Sequence, residues 1–150
     1  THYRLNENSS ELTVTGKVED FPLKYIRRYF FEDEELKIEL TLIAEQDVEL
    51  GRLHENIPLA YGSAKSGGAR IEALEEKAGK TTVSAFKISN DNHQGVEVVL
   101  DKAYPVTIER NGLKSREVQV ARVEIELPHQ FKAGEKMVLS YSLRPETVGP

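Results

Sequence analysis

Apolar residues recur at every second position in this chain, and that spacing decides its fold class before anything else. Leu36, Ile38, Leu40 and Leu42 share one phase, while Lys37, Glu39 and Thr41 take the other. Successive side chains of a strand point to opposite faces, so the pattern is that of a strand buried on one side. Val96, Val98 and Leu100 repeat it against Glu97 and Asp101, and Leu12, Val14 and Val18 share a phase in an opening strand. Gly16 stands inside that strand, where a glycine reads as a β-bulge. Met137, Leu139, Tyr141 and Leu143 form a closing strand. Val118 and Val120 lie on one phase but Val123, Ile125 and Leu127 on the next, a one-residue slip that predicts a bulge or a bend.

Turn chemistry separates these runs. Asn111-Gly112 follows Val106 to Arg110 and precedes Leu113-Lys114, a strong hairpin signal. Phe21-Pro22, Ala133-Gly134-Glu135 and the stretch from Asn90 to Gly95 are further punctuation. The acidic run Glu32 to Glu35 reads as a solvated turn between two strands. Gly62 to Gly68 reads as a surface loop, because strand patterning continues on both sides of it. Ile71 to Ala78 holds good helix formers but is short and ends at Gly79, so a strand through Arg70 to Leu74 is preferred. About ten to twelve short strands result, and an antiparallel β-sandwich occupying residues 1–150 as a single domain is the economical architecture.

Composition bears on this in two ways. At 150 residues, folding removes roughly 70% of the unfolded chain's surface, so a core forms without disulfides or metals. With 39% apolar residues the core has material, and no apolar run approaches the ~20 residues of a membrane-spanning helix. The only Met is Met137 and the chain opens at Thr1, which suggests a piece of a longer polypeptide.

Function classes are narrowed mainly by what is missing. Twenty Lys and Arg face 25 Asp and Glu, intermixed almost throughout, so the basic field that nucleic-acid binding needs is not visible. The absence of Cys removes disulfides, thiol catalysis and thiolate metal sites. His2, His54, His93 and His129 are far apart, and although His54-Glu55 begins like a zinc-protease signature, Pro58 stands where the second His belongs. No cofactor is expected. Asn90 to Asp101 superficially matches a calcium loop, yet Asn90, Asn92 and Gln94 are neutral and the following residues alternate like a strand. Gly62 to Gly68 lacks the Gly-Lys-Ser/Thr opening of a helix that a phosphate cradle requires. No serine stands in a strand–turn–helix elbow. Sugar faces stack on flat aromatics, and with no Trp the strongest platform is missing, leaving Tyr25, Tyr29, Tyr61, Tyr104 and Tyr141. In the run from Tyr25 to Phe31 each face carries an Arg among apolar residues, so at least one guanidinium packs against rings or pairs with a carboxylate.

Three segments together carry a resemblance. Tyr25 to Phe31 leads into Leu36 to Leu40; Gly95 to Val106 contains Asp101-Lys102-Ala103-Tyr104-Pro105; and Leu127-Pro128-His129-Gln130-Phe131 precedes Leu139 to Pro145. In order and character they resemble the C-terminal β-sandwich of heparinase II/III-like and alginate-lyase-like polysaccharide lyases. The resemblance implies a sandwich that follows a helical toroid domain, with the catalytic groups supplied largely by that other domain, so no catalytic residue is carried over. Arg52, His54 and Tyr61 have suitable side chains near a loop and are the candidate ligand-contacting residues.

The expected function is therefore a non-catalytic supporting sandwich of a larger carbohydrate-active enzyme, in a periplasmic or extracellular setting. Its partner would be the rest of the parent polypeptide, and an acidic polysaccharide would be the parent's substrate. Neither nucleic acid nor a membrane span is expected. The alternative is a carbohydrate- or protein-binding adhesion module of a surface or periplasmic protein.

Overall fold

A computed structural model describes residues 2–6, 11–63, 70–72, 80–89, 94–110 and 118–147, with side chains placed for 11–58, 81–88, 95–108 and 122–145. The fold is all-β, antiparallel and of the sandwich type, with twelve strands among the described residues. They are β1 His2–Asn6, β2 Glu11–Lys17, β3 Leu23–Glu32, β4 Glu35–Ala44, β5 Val48–Glu49, β6 His54–Ser63, β7 Arg70–Glu72, β8 Lys80–Ser89, β9 Gln94–Arg110, β10 Val118–Glu126, β11 Gln130–Phe131 and β12 Lys136–Thr147. No helix among the described residues is long and apolar enough to cross a membrane. The contacts divide the chain into two compact units, residues 1–53 with 128–143 and residues 54–127 with 144–150.

In the first unit the strand order is β1-β2-β3-β4-β12. Register stacks the apolar phase of each strand into common rows. Leu12, Tyr29, Ile38 and Tyr141 form one row, and Val14, Arg27, Leu40 and Leu139 the next. Gly16, Tyr25, Leu42 and Met137 form a third. Ile38, Leu40, Leu42, Leu139 and Tyr141 are buried, so the alternation read from sequence is the core of this unit. Burying a Leu or Ile side chain stabilises a fold by roughly 1.5–3 kcal/mol, so a one-residue slip of any of these strands would forfeit several such terms together.

The opposite face is charged and paired. Arg28 Nε donates to Glu11 Oε1 at 2.6 Å, its Nη1 reaches Glu39 at 3.4 Å, and its guanidinium lies 5.2 Å from the Phe30 ring centre. Both arginines of β3 are thus accommodated as their apolar surroundings require, since Arg27 Nη1 reaches the Tyr29 hydroxyl at 3.5 Å. Gly16 is not a bulge. The pairing of β2 with β3 runs unbroken from Glu11↔Phe30 to Lys17↔Lys24, and the glycine sits directly opposite Tyr25. The Tyr25 ring occupies the space a Cβ would need: such an atom would lie 2.6 Å from the phenolic oxygen.

The turns follow the sequence closely. Phe21-Pro22 closes a bend in which Phe21 N–H donates to Val18 C=O at 3.1 Å and Val18 N–H to Leu23 C=O at 2.8 Å. Glu32 pairs with Glu35, leaving Asp33 and Glu34 as an exposed two-residue hairpin loop with φ of 54° and 65°. Gly134 adopts φ 83°, which a residue without a Cβ adopts freely, and its N–H donates to Ala44 C=O at 2.8 Å. The short pair β5–β11 places Val48 opposite Phe131, both buried.

In the second unit β6 pairs with β10 and β10 with β9, while β8 runs along the other edge of β9 and β7 lies beyond β8. Val106 is flanked by Thr81 on one side and Ile125 on the other, and Phe86 faces Val98. Phe86, Val98, Val106, Val123 and Ile125 are each at most 1% exposed. The strand preferred over a helix is present as β7, although residues 73–79 lie outside the described residues. The phase slip between Val120 and Val123 is not itself a bulge, since β10 pairs in unbroken register from Val120↔Ala60 to Glu126↔His54; just before it, between Gln119 and Val120, the register jumps from Gly62 to Ala60. The extra residue is contributed by the partner strand and is Tyr61. A larger break separates Val83↔Tyr104 from Ala85↔Val99, so Leu100 to Ala103 bow out opposite Ser84. The Asn111-Gly112 turn and most of the Gly62–Gly68 and Asn90–Gly95 segments lie outside the described residues.

Candidate functional site

Alternation on β10 presents two different faces. Val123 and Ile125 are fully buried, whereas Arg122, Glu124 and Glu126 occupy the opposite phase and are half-buried. On β6, His54 lies across from Glu126, Asn56 from Glu124 and Pro58 from Arg122. On β9, Thr107 lies across from Glu124. The polar face of the second unit therefore gathers an imidazole, a guanidinium and carboxylates.

Glu124 is the hub of this group. One carboxylate oxygen is 3.3 Å from Arg122 Nε, and the other is 3.9 Å from His54 Nδ1. The side chains of His54 and Glu124 are 20% and 15% exposed, so the pair is largely shielded from water yet reachable from the face. Such a group offers acceptors, donors and a fixed charge, which suits recognition of hydroxyl- or charge-bearing ligands. A proton relay needs a heavy-atom separation of about 2.6–3.2 Å, and the His54–Glu124 gap is wider than that.

Of the three residues singled out from sequence, His54 has its side chain in this group. Arg52 is exposed in the short connection that precedes β6. Tyr61 supplies the extra residue of the β6 irregularity, and its side chain lies outside the described residues. Arg122 and Glu124 were not singled out. Their signal was available as the complement of the Val123–Ile125–Leu127 phase, because charged residues at every second position of a strand must share its polar face. No group of three or more His, Asp or Glu suited to hold a metal ion occurs among the described residues.

No protein-family model matches the chain, and no curated protein matches it in sequence. Solved structures do match in fold. A 4-α-glucanotransferase from Thermococcus litoralis aligns over 95% of this chain and 22% of its own, with a TM-score of 0.61 and 14% identity. A putative aldose 1-epimerase from Escherichia coli K12 aligns over 97% of this chain and 68% of its own, at a TM-score of 0.60 and 9% identity. The heparan sulfate lyase HepC from Pedobacter heparinus aligns over 99% of this chain and 22% of its own, at a TM-score of 0.52 and 11% identity. The resemblance to the lyase sandwich is thus a likeness of fold, and the structural neighbours include several carbohydrate-active enzymes. The chain spans about a fifth of the glucanotransferase and of the lyase.

Proposed function

We propose that this chain is a non-catalytic β-sandwich domain of a larger carbohydrate-active protein of the polysaccharide-lyase type, supporting a catalytic domain or forming one wall of its cleft. The observation that carries this reading is the coverage. Nearly the whole chain superposes on about a fifth of two much longer enzymes whose names denote action on polysaccharides or glucans. An acidic polysaccharide would then be acted on by the parent protein.

The test is to incubate the chain with uronate-containing polysaccharides and with α-glucans, following the absorbance of unsaturated product and the release of new reducing ends. Neither signal is expected, and turnover by the chain itself would overturn the proposal.

The half-buried group around Glu124 favours one second reading, an autonomous carbohydrate-binding module. Titration with acidic oligosaccharides separates the two. Saturable binding that is lost in Glu124→Gln would replace the supporting role by a binding role.

A further inference from the structure

The first unit carries a hollow of about 640 Å³, within the size range of small-molecule sites, lined by Thr15, Gly16, Lys17, Lys24, Tyr25, Ile26 and Ile43. Register explains its shape. Lys17, Lys24 and Ile43 stand in one row across β2, β3 and β4, and Thr15 and Ile26 stand two positions further along the same face. The intervening row begins with Gly16 and Tyr25, whose alternation belongs to the other face, so a depression remains between the two rows.

Its chemistry is uneven in a way that selects a ligand. The body is apolar, supplied by Ile26 and Ile43, and one rim is cationic. Lys17 Nζ lies 3.2 Å from one oxygen of Glu45 and Lys24 Nζ lies 3.6 Å from the other, so two ammonium groups share a single carboxylate. That rim holds one positive charge in excess, and the ammonium groups keep donors beyond those aimed at Glu45.

We propose that this hollow is a binding site for a small organic carboxylate with an apolar body, its carboxylate held by Lys17 and Lys24 and its body laid on Ile26 and Ile43. The site is independent of the His54–Glu124–Arg122 group and of the supporting role proposed above. A ligand carboxylate competes with Glu45 for the same two lysines, which makes the sign of one substitution diagnostic.

The experiment uses cyclohexanecarboxylate as the probe, with cyclohexanol as its neutral counterpart and acetate as a carboxylate without the apolar body. Binding is followed through backbone amide NMR shifts during titration. Cyclohexanecarboxylate is expected to bind about tenfold more tightly than either control, with shifts centred on residues 15–17, 24–26 and 43, a preference worth about 1.4 kcal/mol. Lys17→Gln with Lys24→Gln is expected to abolish the preference over cyclohexanol. Glu45→Gln frees both lysines and is expected to tighten binding about three- to fivefold, the range of a partly exposed ion pair. Equal binding of the three probes, shifts centred elsewhere, or weaker binding in Glu45→Gln would overturn the proposal. Because the two sets of variants act in opposite directions, a general loss of structure cannot imitate the expected result.

Discussion

Gly16 and Tyr25 face each other across β2 and β3, and the tyrosine ring fills the place of the missing side chain, with its oxygen 2.6 Å from where a Cβ would stand. A cross-strand aromatic laid over a glycine compensates for the flexibility and missing packing of that glycine. Gly16→Ala is expected to destabilise the fold by about 1–2 kcal/mol, because the ring must move or the strands must part. In a Tyr25→Ala background the same substitution should stabilise by about 0.5–1 kcal/mol, since the space is then open and the unfolded chain loses freedom. Urea denaturation of the four proteins checks this, and equal effects of Gly16→Ala in both backgrounds would refute the coupling.

The β3–β4 hairpin turns on two residues with positive φ, Asp33 and Glu34. A two-residue loop of this kind matches the twist of its strands, but it favours Asn-Gly or Asp-Gly over Asp-Glu. An L-residue with a Cβ in the left-handed region costs roughly 1–2 kcal/mol. Glu34→Gly is therefore expected to raise the melting temperature by about 2–4 °C for a chain of this size. A lower melting temperature would show that the glutamate has a role that its exposed position does not reveal.

Acid should weaken the charged face of the first unit through Glu11. Its hydrogen bond from Arg28 holds the carboxyl below its ordinary value of 4.5. A carboxylate whose pKa is lower in the folded state contributes stability above its unfolded pKa, and that contribution is lost as pH falls through the folded value. Stability followed from pH 7 to about pH 2 should fall less steeply in Glu11→Gln than in the unsubstituted protein. Coincident slopes would mean that the pair contributes nothing to the acid response.

Tyr104 is 4% exposed, and its hydroxyl is buried beside Asp101. Burial, with the neighbouring Asp101 carboxylate as a second cause, pushes its pKa well above the ordinary phenol value of 10. The folded state therefore keeps the proton after the unfolded chain has released it. Stability should fall as pH rises beyond about 10, the reverse of the Glu11 case. Tyr104→Phe keeps the ring and removes the buried hydroxyl, and is expected to change stability by no more than about 1 kcal/mol at neutral pH. It should also flatten the alkaline decline, and an unchanged decline would show that another group governs it.

Much of the architecture was legible in the order of residues, and the reasons differ from element to element. The rows of Ile38, Leu40 and Leu42 against Leu139 and Tyr141 could be anticipated because a period of two has one physical meaning. The slip between Val120 and Val123 suggests a bulge there, but the register is unbroken across it, and the extra residue, Tyr61, sits opposite Gln119 and Val120 on a partner strand some sixty positions away. Gly16 was misread because a glycine in a strand has two explanations, a bulge or a close approach, and Tyr25 distinguishes them only once it lies opposite. The run from Glu32 to Glu35 reads as a solvated turn between two strands and is one, but its residue types do not advertise the positive φ that Asp33 and Glu34 adopt.

The candidate site shows the same division. His54 could be noticed as a residue type, whereas its neighbours Glu124 and Arg122 are about seventy positions distant in the chain and meet it only through the pairing of β6 with β10. By itself the sequence determined the strands, most of their buried faces and, through the lack of Cys, the absence of thiol chemistry, because alternation and composition act locally. Tertiary structure alone decided which strands are neighbours, and hence which charges meet around Glu124 and Glu45 and which ring covers Gly16. Contacts between strands depend on register, and register is settled by burying all the apolar rows at once.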